Sequence, residues 1–420
     1  MGKVISYKVT DIYGSFKNLK NLEDPGAIKD TERIEMIYAY GPDLLPTNPW
    51  SNNGMWRYLA LLPTEDEVWY PLAVGRTPLF APLPLRQHVG LPGLWLKDET
   101  RSPTGSNKDR ATALSLEYAL HNGIHTVSCA STGNVALSLA VGAAACGLEA
   151  VIFVPASILD TKLRYMRMTG ATIFKIKEGY EAAVRLSREA ARAFGWYDRN
   201  TGYNPLTLEA KKTVAFEIWE QMGHRAPDSI VVPVGDGVTL NGLAKGFREL
   251  MFCGATTRLP RIIGVQAENC QPLKRMWEGR SVFPSNHLPT IADGIAVEAP
   301  INAAMALRDI RESGGGFVAV SEEALLDAIA LLAATGGILA EPAGAAALAG
   351  VRPAIEQGFL RKDETCVVLV TGSGFKTPQY LRPPLHSSVH EIAADMNVLK
   401  QIRAHSNRHE GFSVLNANLG

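Results

Sequence analysis

The sequence has no excess of either charge: 42 lysines and arginines stand against 42 aspartates and glutamates in 420 residues. Nothing in that balance points to a nucleic-acid or membrane-surface partner. Cysteine is scarce too. The five thiols, Cys129, Cys146, Cys253, Cys270 and Cys366, are odd in number, scattered and never spaced C-x-x-C. That argues for reduced, mostly core thiols in a cytoplasmic protein, and no metal site is expected. No apolar run reaches the length of about eighteen residues that a membrane span needs. The N-terminus lacks a signal-like apolar stretch, and no fixed-period repeat occurs. What is present is ordinary for a globular chain, 46% hydrophobic and 20% charged, with enough length for two or three domains.

Residues 1–60 mix polar, aromatic and proline-rich pieces such as "YGPDLLPTNPW" and read as an irregular N-terminal extension. From "GLWLKDE" onward, β-rich runs ("HTVSCAST", "EAVIFVP", "GATIFKIKE") alternate with helical ones ("GNVALSLAVGAAACG", "GYEAAVRLSREAARAFG"). "DSIVVPV", "RIIGVQAE" and "ETCVVLVTG" continue the pattern as buried-strand candidates. Continuous apolar strands alternating with helices predict a parallel sheet in an α/β architecture. "GGILAEPAGAAALAG" reads as a tightly packed core helix, and after about residue 385 the alternation is lost.

Several turns sit where strands give way to helices. In "VVPVGDGVTLNGLAKGF" a buried strand runs into Gly235, Asp236, Gly237, Val238 and Thr239, with a helix expected from about Asn241 or Gly242. Glycines there let backbone N–H groups converge on an anion, and the helix dipole adds to the attraction. No Gly-Lys-Ser/Thr closes the loop, and Gly242 comes too late for a dinucleotide fingerprint; a tight structural turn is the competing reading. In "CASTGNVALSLA", Ser131, Thr132, Gly133 and Asn134 open a helix, which suits a substrate carboxylate or a plain N-cap. "VTGSG" sets the Thr371 hydroxyl at a strand end, able to meet a ring nitrogen. "SPTGSNKDR" leaves Lys108 at a helix start, either as a solvated surface lysine or as an imine-forming nucleophile.

One lysine, one phosphate cradle, one anion loop and one strand-end hydroxyl are together what pyridoxal phosphate chemistry requires. The chain resembles the fold-type II pyridoxal-phosphate family, specifically its threonine synthase branch. "GRTPLF", "LKDE", "PTGSNKDR", "ASTGN", "PVGDG", "ESGG", "EPAGAAALAG" and "TGSGFK" occur in that family's order over roughly residues 55–380. The resemblance implies a tryptophan synthase β-like α/β fold of two three-layer domains with the cofactor in the cleft between them. With the alternation it divides the chain into the extension 1–60, a large cofactor-binding domain 61–104 plus 214–385, a small domain 105–213 and a tail 386–420. By the same resemblance Lys108 carries the cofactor as a Schiff base and Asn134 contacts its ring hydroxyl. Gly235, Asp236, Gly237, Val238 and Thr239 hold its phosphate, and Thr371 meets its pyridine nitrogen. Ser131, Thr132, Gly133, Asn134 and the position of Thr207 bind substrate.

The pattern is broken in the substrate pocket. Thr207 stands where the branch has an arginine, Gly202 where it has a serine and Val135 where it has a threonine. Asn107 replaces a bulky aromatic before the lysine, and the cradle contains the acidic Asp236. A neutral hydroxyl in place of a guanidinium removes the strongest kind of phosphate contact. The expected function is therefore a threonine synthase-like lyase, in its nearest form converting O-phosphohomoserine and water to threonine and phosphate. The alternatives are β-elimination or β-replacement on a serine- or threonine-type amino acid, and, more remotely, a non-catalytic nucleotide-binding protein. The expected partners are a small amino acid substrate and a second copy of the chain, with neither nucleic acid nor membrane.

Overall fold

The segment expected to be irregular carries a sheet. The computed structural model describes residues 4–11, 14–19, 32–47, 54–158, 160–280, 289–383 and 389–409. Within the first 60, β1 (Val4–Thr10), β2 (Phe16–Leu19) and β3 (Arg33–Tyr38) pair antiparallel in the order β2-β1-β3. The strand signal is hidden because β3 is buried on both faces without apolar alternation: Arg33 and Glu35 on one, Met36 and Tyr38 on the other. Glu35 pairs with Arg308 (2.6 Å) and Arg248 (3.2 Å), and Tyr38 donates to Glu209 (3.0 Å). An apolar/polar alternation is a poor guide when the inward side chains are charged and paired.

Two further sheets hold the remaining strands. β4 (Leu79–Phe80) and β5 (Leu94–Asp98) belong to the larger. β6 (Thr126–Ala130), β7 (Glu149–Pro155), β8 (Thr172–Ile176) and β9 (Tyr197–Asp198) form a four-stranded parallel sheet, order β8-β7-β6-β9. β10 (Ser229–Pro233), β11 (Arg261–Ala267), β12 (Gly316–Val320) and β13 (Cys366–Val370) complete a six-stranded sheet, order β12-β11-β10-β13-β5-β4. Only β4 runs antiparallel in it. Both faces are covered. Ile230, Val232, Val367 and Leu369 enter one core cluster, while Val231, Val368 and Val370 enter another, so the strands read as continuous apolar runs.

Among the described residues, the α-helices up to Phe252 are α1 (Leu83–Val89), α2 (Lys108–His121), α3 (Asn134–Ala145), α4 (Asp160–Arg167), α5 (Tyr180–Phe194), α6 (Leu206–Lys211), α7 (Thr213–Gln221) and α8 (Val238–Phe252). α8 begins at Val238, three residues earlier than expected, because Gly237 takes the left-handed conformation (φ 97°) that turns the strand exit straight into a helix. In the tail a helix runs over Met396–His409. The start of α2 is pinned by a buried ion network. Arg110 donates to Glu99 (2.7 Å) and Glu217 (2.6 Å), and Lys97 donates to Glu217 (2.7 Å). That network ties α2 to the end of β5 and to α7, fixing the residue two positions upstream, Lys108.

Candidate active site

A cavity of about 1140 Å³ opens at the C-terminal ends of β6, β10 and β13, where Ala130, Val234 and Thr371 line it. This is the end of a parallel α/β sheet at which strand-to-helix turns leave backbone groups free for ligands. Lys108, the first residue of α2, enters it from one side. The preceding turn is held to the β13 exit, with Asn107 N donating to Thr371 O (3.0 Å) and Ser106 bridged to Gly372. Lys108 Nζ donates to Asn107 Oδ1 (3.2 Å). Burial pushes the Lys108 ammonium down to about 8; Glu341 opposes this, and Arg199 and Lys376 add to it. A neutral amine is thus accessible close to physiological pH.

The turn Ser131–Asn134 enters α3 on the cavity wall. Ser131 N donates to Phe153 O (3.2 Å), and Ser131 Oγ accepts from Gly133 N (3.2 Å). Asn134 is gripped from both ends: its amide donates to Glu341 Oε1 (2.6 Å), and its carbonyl accepts from Lys376 Nζ (2.5 Å). Lys376 also donates to Thr104 O and Gly105 O. Glu341 and Lys376 were not among the expected site residues, although each lies in a quoted motif, "EPAG" and "GSGFK". Burial pushes the Glu341 carboxyl up and the Lys376 ammonium down, and each opposes the other's shift.

On the third wall, β10 runs into Gly235–Thr239. The first backbone bond at the start of α8 goes from Asn241 N to Gly237 O (2.9 Å), so the N–H groups of its first turn are without helical partners. The Asp236 carboxylate is turned to one side, accepting from Ile301 N (2.8 Å) and Asn302 Nδ2 (3.0 Å). A Cβ on Gly202, where φ is 84°, would overlap that carboxylate. The acidic residue in the cradle and the glycine in place of serine are therefore one structural change. Burial pushes Asp236 up to about 6, against the hydrogen bond from Ile301 N and the charge of Arg33.

Lys108, Ser131, Thr132, Gly133, Asn134, Gly235, Asp236, Gly237, Val238, Thr239 and Thr371 all line this one cavity. Thr207 does not. It is 1% exposed, and its hydroxyl donates to Asn204 O (2.7 Å) within the first turn of α6. Lys211, one turn later on the same face of α6 and with a longer side chain, does reach the cavity. Two other basic residues that could replace the missing arginine are already paired: Lys212 with Glu209 and Glu249, and Arg110 with Glu99 and Glu217. Arg185, Arg188 and Arg192 of α5 also reach the wall, Arg188 lying 3.7 Å over the ring of Tyr203.

The family model described as pyridoxal-phosphate dependent enzyme matches residues 70–372. A threonine synthase of Methanocaldococcus jannaschii is 36% identical over 353 residues, 83% of this chain and 87% of that protein. One from Methanosarcina acetivorans is 38% identical over 353 residues, 82% and 86% of the two chains. Among solved structures, the processed form of threonine deaminase isoform 2 from Solanum lycopersicum superposes with a TM-score of 0.60 at 22% identity, covering 79% of this chain and 94% of that one. At that identity the likeness speaks for the fold.

Proposed function

The chain belongs to the pyridoxal-phosphate dependent enzymes, as a threonine synthase-like lyase, and we propose that it converts a phosphorylated amino acid, O-phosphohomoserine, to threonine and phosphate. The observation that carries this reading is the convergence of Lys108, the Ser131–Asn134 turn, the Gly235–Thr239 turn and Thr371 on one cavity whose walls also bear Arg185, Arg188 and Arg192. Those arginines suit an anionic leaving group even with Thr207 off the wall, although Glu181 and Glu189 line the same wall.

The residues fit the cofactor. The first-turn N–H groups of α8 suit its phosphate, and Gly237 keeps the approach open. Lys108 would hold it covalently, with Thr371 and Asn134 against its ring. Pyridoxal phosphate supplies the electron sink that lets the bond from a substrate α-carbon to hydrogen break as a proton. The N–H groups and hydroxyls at the start of α3 would bind the substrate carboxylate, and Lys108 Nζ, as a neutral amine, would move the proton. Glu341 and Lys376 keep Asn134 oriented. Residues 105–213 act as a small domain set into 61–104 plus 214–385, its own four-stranded sheet supporting that division, and closure over the substrate excludes water. A homodimer and a cytoplasmic location belong to the same proposal; light scattering that returned a single 45.4 kDa chain would exclude the dimer.

The deciding assay follows phosphate, ammonia and keto-acid release with O-phosphohomoserine beside O-phosphoserine, serine and threonine. Phosphate and threonine formed together support the proposal. Ammonia and keto acid from unphosphorylated serine or threonine would replace it with β-elimination, a reading that apolar Val135 on the wall favours.

Two results are expected of the cradle. Gly237→Val lowers cofactor affinity at least about tenfold, because its Cβ would need φ near 97° and would sit 3.2 Å from Ala306 Cβ and 3.3 Å from Asn241 Oδ1. Wild-type affinity in a visible-absorbance titration would refute the close fit. Asp236 is raised above its ordinary value, so the folded protein holds its proton more tightly than the unfolded chain. The stability this contributes is full below the ordinary carboxylate range and lost as pH rises through about 6. Above that pH the carboxylate repels a bound dianion. Asp236→Asn should match the wild type in cofactor affinity at pH 5 and exceed it by roughly three- to tenfold at pH 7.5. A ratio independent of pH would rule this out.

A further inference from the structure

Lys211 is a buried lysine without a carboxylate partner. It ends α6, is 3% exposed, and its Nζ donates to Thr239 Oγ1 (2.9 Å). Among the described residues no aspartate or glutamate lies within ion-pair distance of it. Its neighbours show the usual arrangement: Lys212 has Glu209 and Glu249, Lys97 has Glu217, and Lys245 has Glu249. A buried charge is costly unless it is paired, so an unpaired one facing a cavity marks a place where an anion arrives.

The local geometry names the place. Thr239 Oγ1 accepts from Lys211 Nζ and from Asn107 Nδ2 (3.3 Å), which fills both lone pairs and leaves the hydroxyl proton as a donor. Thr239 stands in the first turn of α8, beside N–H groups that lack helical partners. Lys211 reaches this point because α6 and α8 touch. A Cβ on Gly242 would lie 2.8 Å from Lys211 Cβ, and one on Gly246 would crowd Lys212 O (2.5 Å). Donors from three chain segments thus converge where the cradle reading puts the cofactor's phosphate.

We propose that Lys211, with Asn107 and Thr239, binds the cofactor's phosphate dianion, adding a fixed side-chain charge to the backbone cradle. This rests on the reading of Gly235–Thr239 given above. Burial and the charges of Lys108 and Arg199 lower the Lys211 ammonium well below its ordinary range, while Asp236 opposes them. A dianion beside it restores the balance.

The test uses the full-length chain freed of cofactor and titrated with pyridoxal phosphate or with pyridoxal, which has the same ring and aldehyde but no phosphate. Binding is read from visible absorbance. Lys211→Met should weaken pyridoxal phosphate about ten- to hundredfold and leave pyridoxal unchanged, with Lys211→Arg recovering most of the loss. Thermal midpoints give a second readout with opposite signs: Lys211→Met raises the midpoint of the cofactor-free chain, by removing a buried amine whose ammonium has no carboxylate partner, and lowers that of the loaded one. Unchanged pyridoxal phosphate affinity, or equal weakening of both ligands, overturns the proposal. So does a higher KM for a phosphorylated substrate at unchanged cofactor affinity, which would assign Lys211 to the substrate's phosphate instead. Failure of the wild type to develop any visible band would count against the functional reading itself.

Discussion

Lys108→Ala should abolish covalent attachment of the cofactor and lower kcat/KM by at least about 10²–10⁴-fold, the range lost with a proton-transfer group alone. Borohydride reduction of the wild type should fix the cofactor to the peptide that contains Lys108. Two other buried lysines are poor competitors. Lys97 donates to Thr77 O, Glu217 and Gln221, and Lys245 is held by Glu249 and Met36 O. Neither lines the cavity. The pH dependence adds a second check. With the Lys108 ammonium at about 8, capture of cofactor by the free protein should rise with pH and level off above that value. A rise continuing toward the range of an exposed lysine, or label recovered on Lys97 or Lys245, would show that the amine is not the one at the head of α2.

The largest stability effect is expected at Arg110, two residues further on. Its guanidinium is buried between Glu99 and Glu217 and also donates to Thr77 and Thr213. Arg110→Met leaves two carboxylates buried with only Lys97 to share, and should cost about 3–5 kcal/mol in denaturant unfolding. Removing the orphaned carboxylate as well, in Arg110→Met/Glu99→Leu, should recover part of the loss, because Glu217 keeps Lys97. A cost below about 1 kcal/mol would mean that the network is not what holds α2 in place. Arg110 is conspicuous in the sequence because it follows Lys108 so closely, yet its function is to anchor the lysine's turn and not to meet a ligand.

The parts of this protein legible in its sequence depend on residues close together along the chain. Apolar runs ending in Gly-rich or Ser-Thr-Gly turns marked β6, β10 and β13 and the turns at their exits, because strand and helix-start signals act over a few residues. The lysine, the two anion turns and the strand-end hydroxyl were legible for the same reason, and their order along the chain carried the resemblance. The tertiary structure alone decided what lies between them. Asn134 and Glu341 are 207 positions apart, and their hydrogen bond exists only because α3 and the residue before Pro342 meet across the cavity. Position 207 matches a family motif, but its short side chain is buried and bound to Asn204 O, while the longer Lys211 one turn on reaches the cavity. The N-terminal sheet was not legible because its buried positions include charged side chains, and those make sense only beside Glu209, Arg248 and Arg308. A short sequence window encodes the local backbone turn; which side chains face one another across a cavity follows from how helices and sheets far apart in sequence pack.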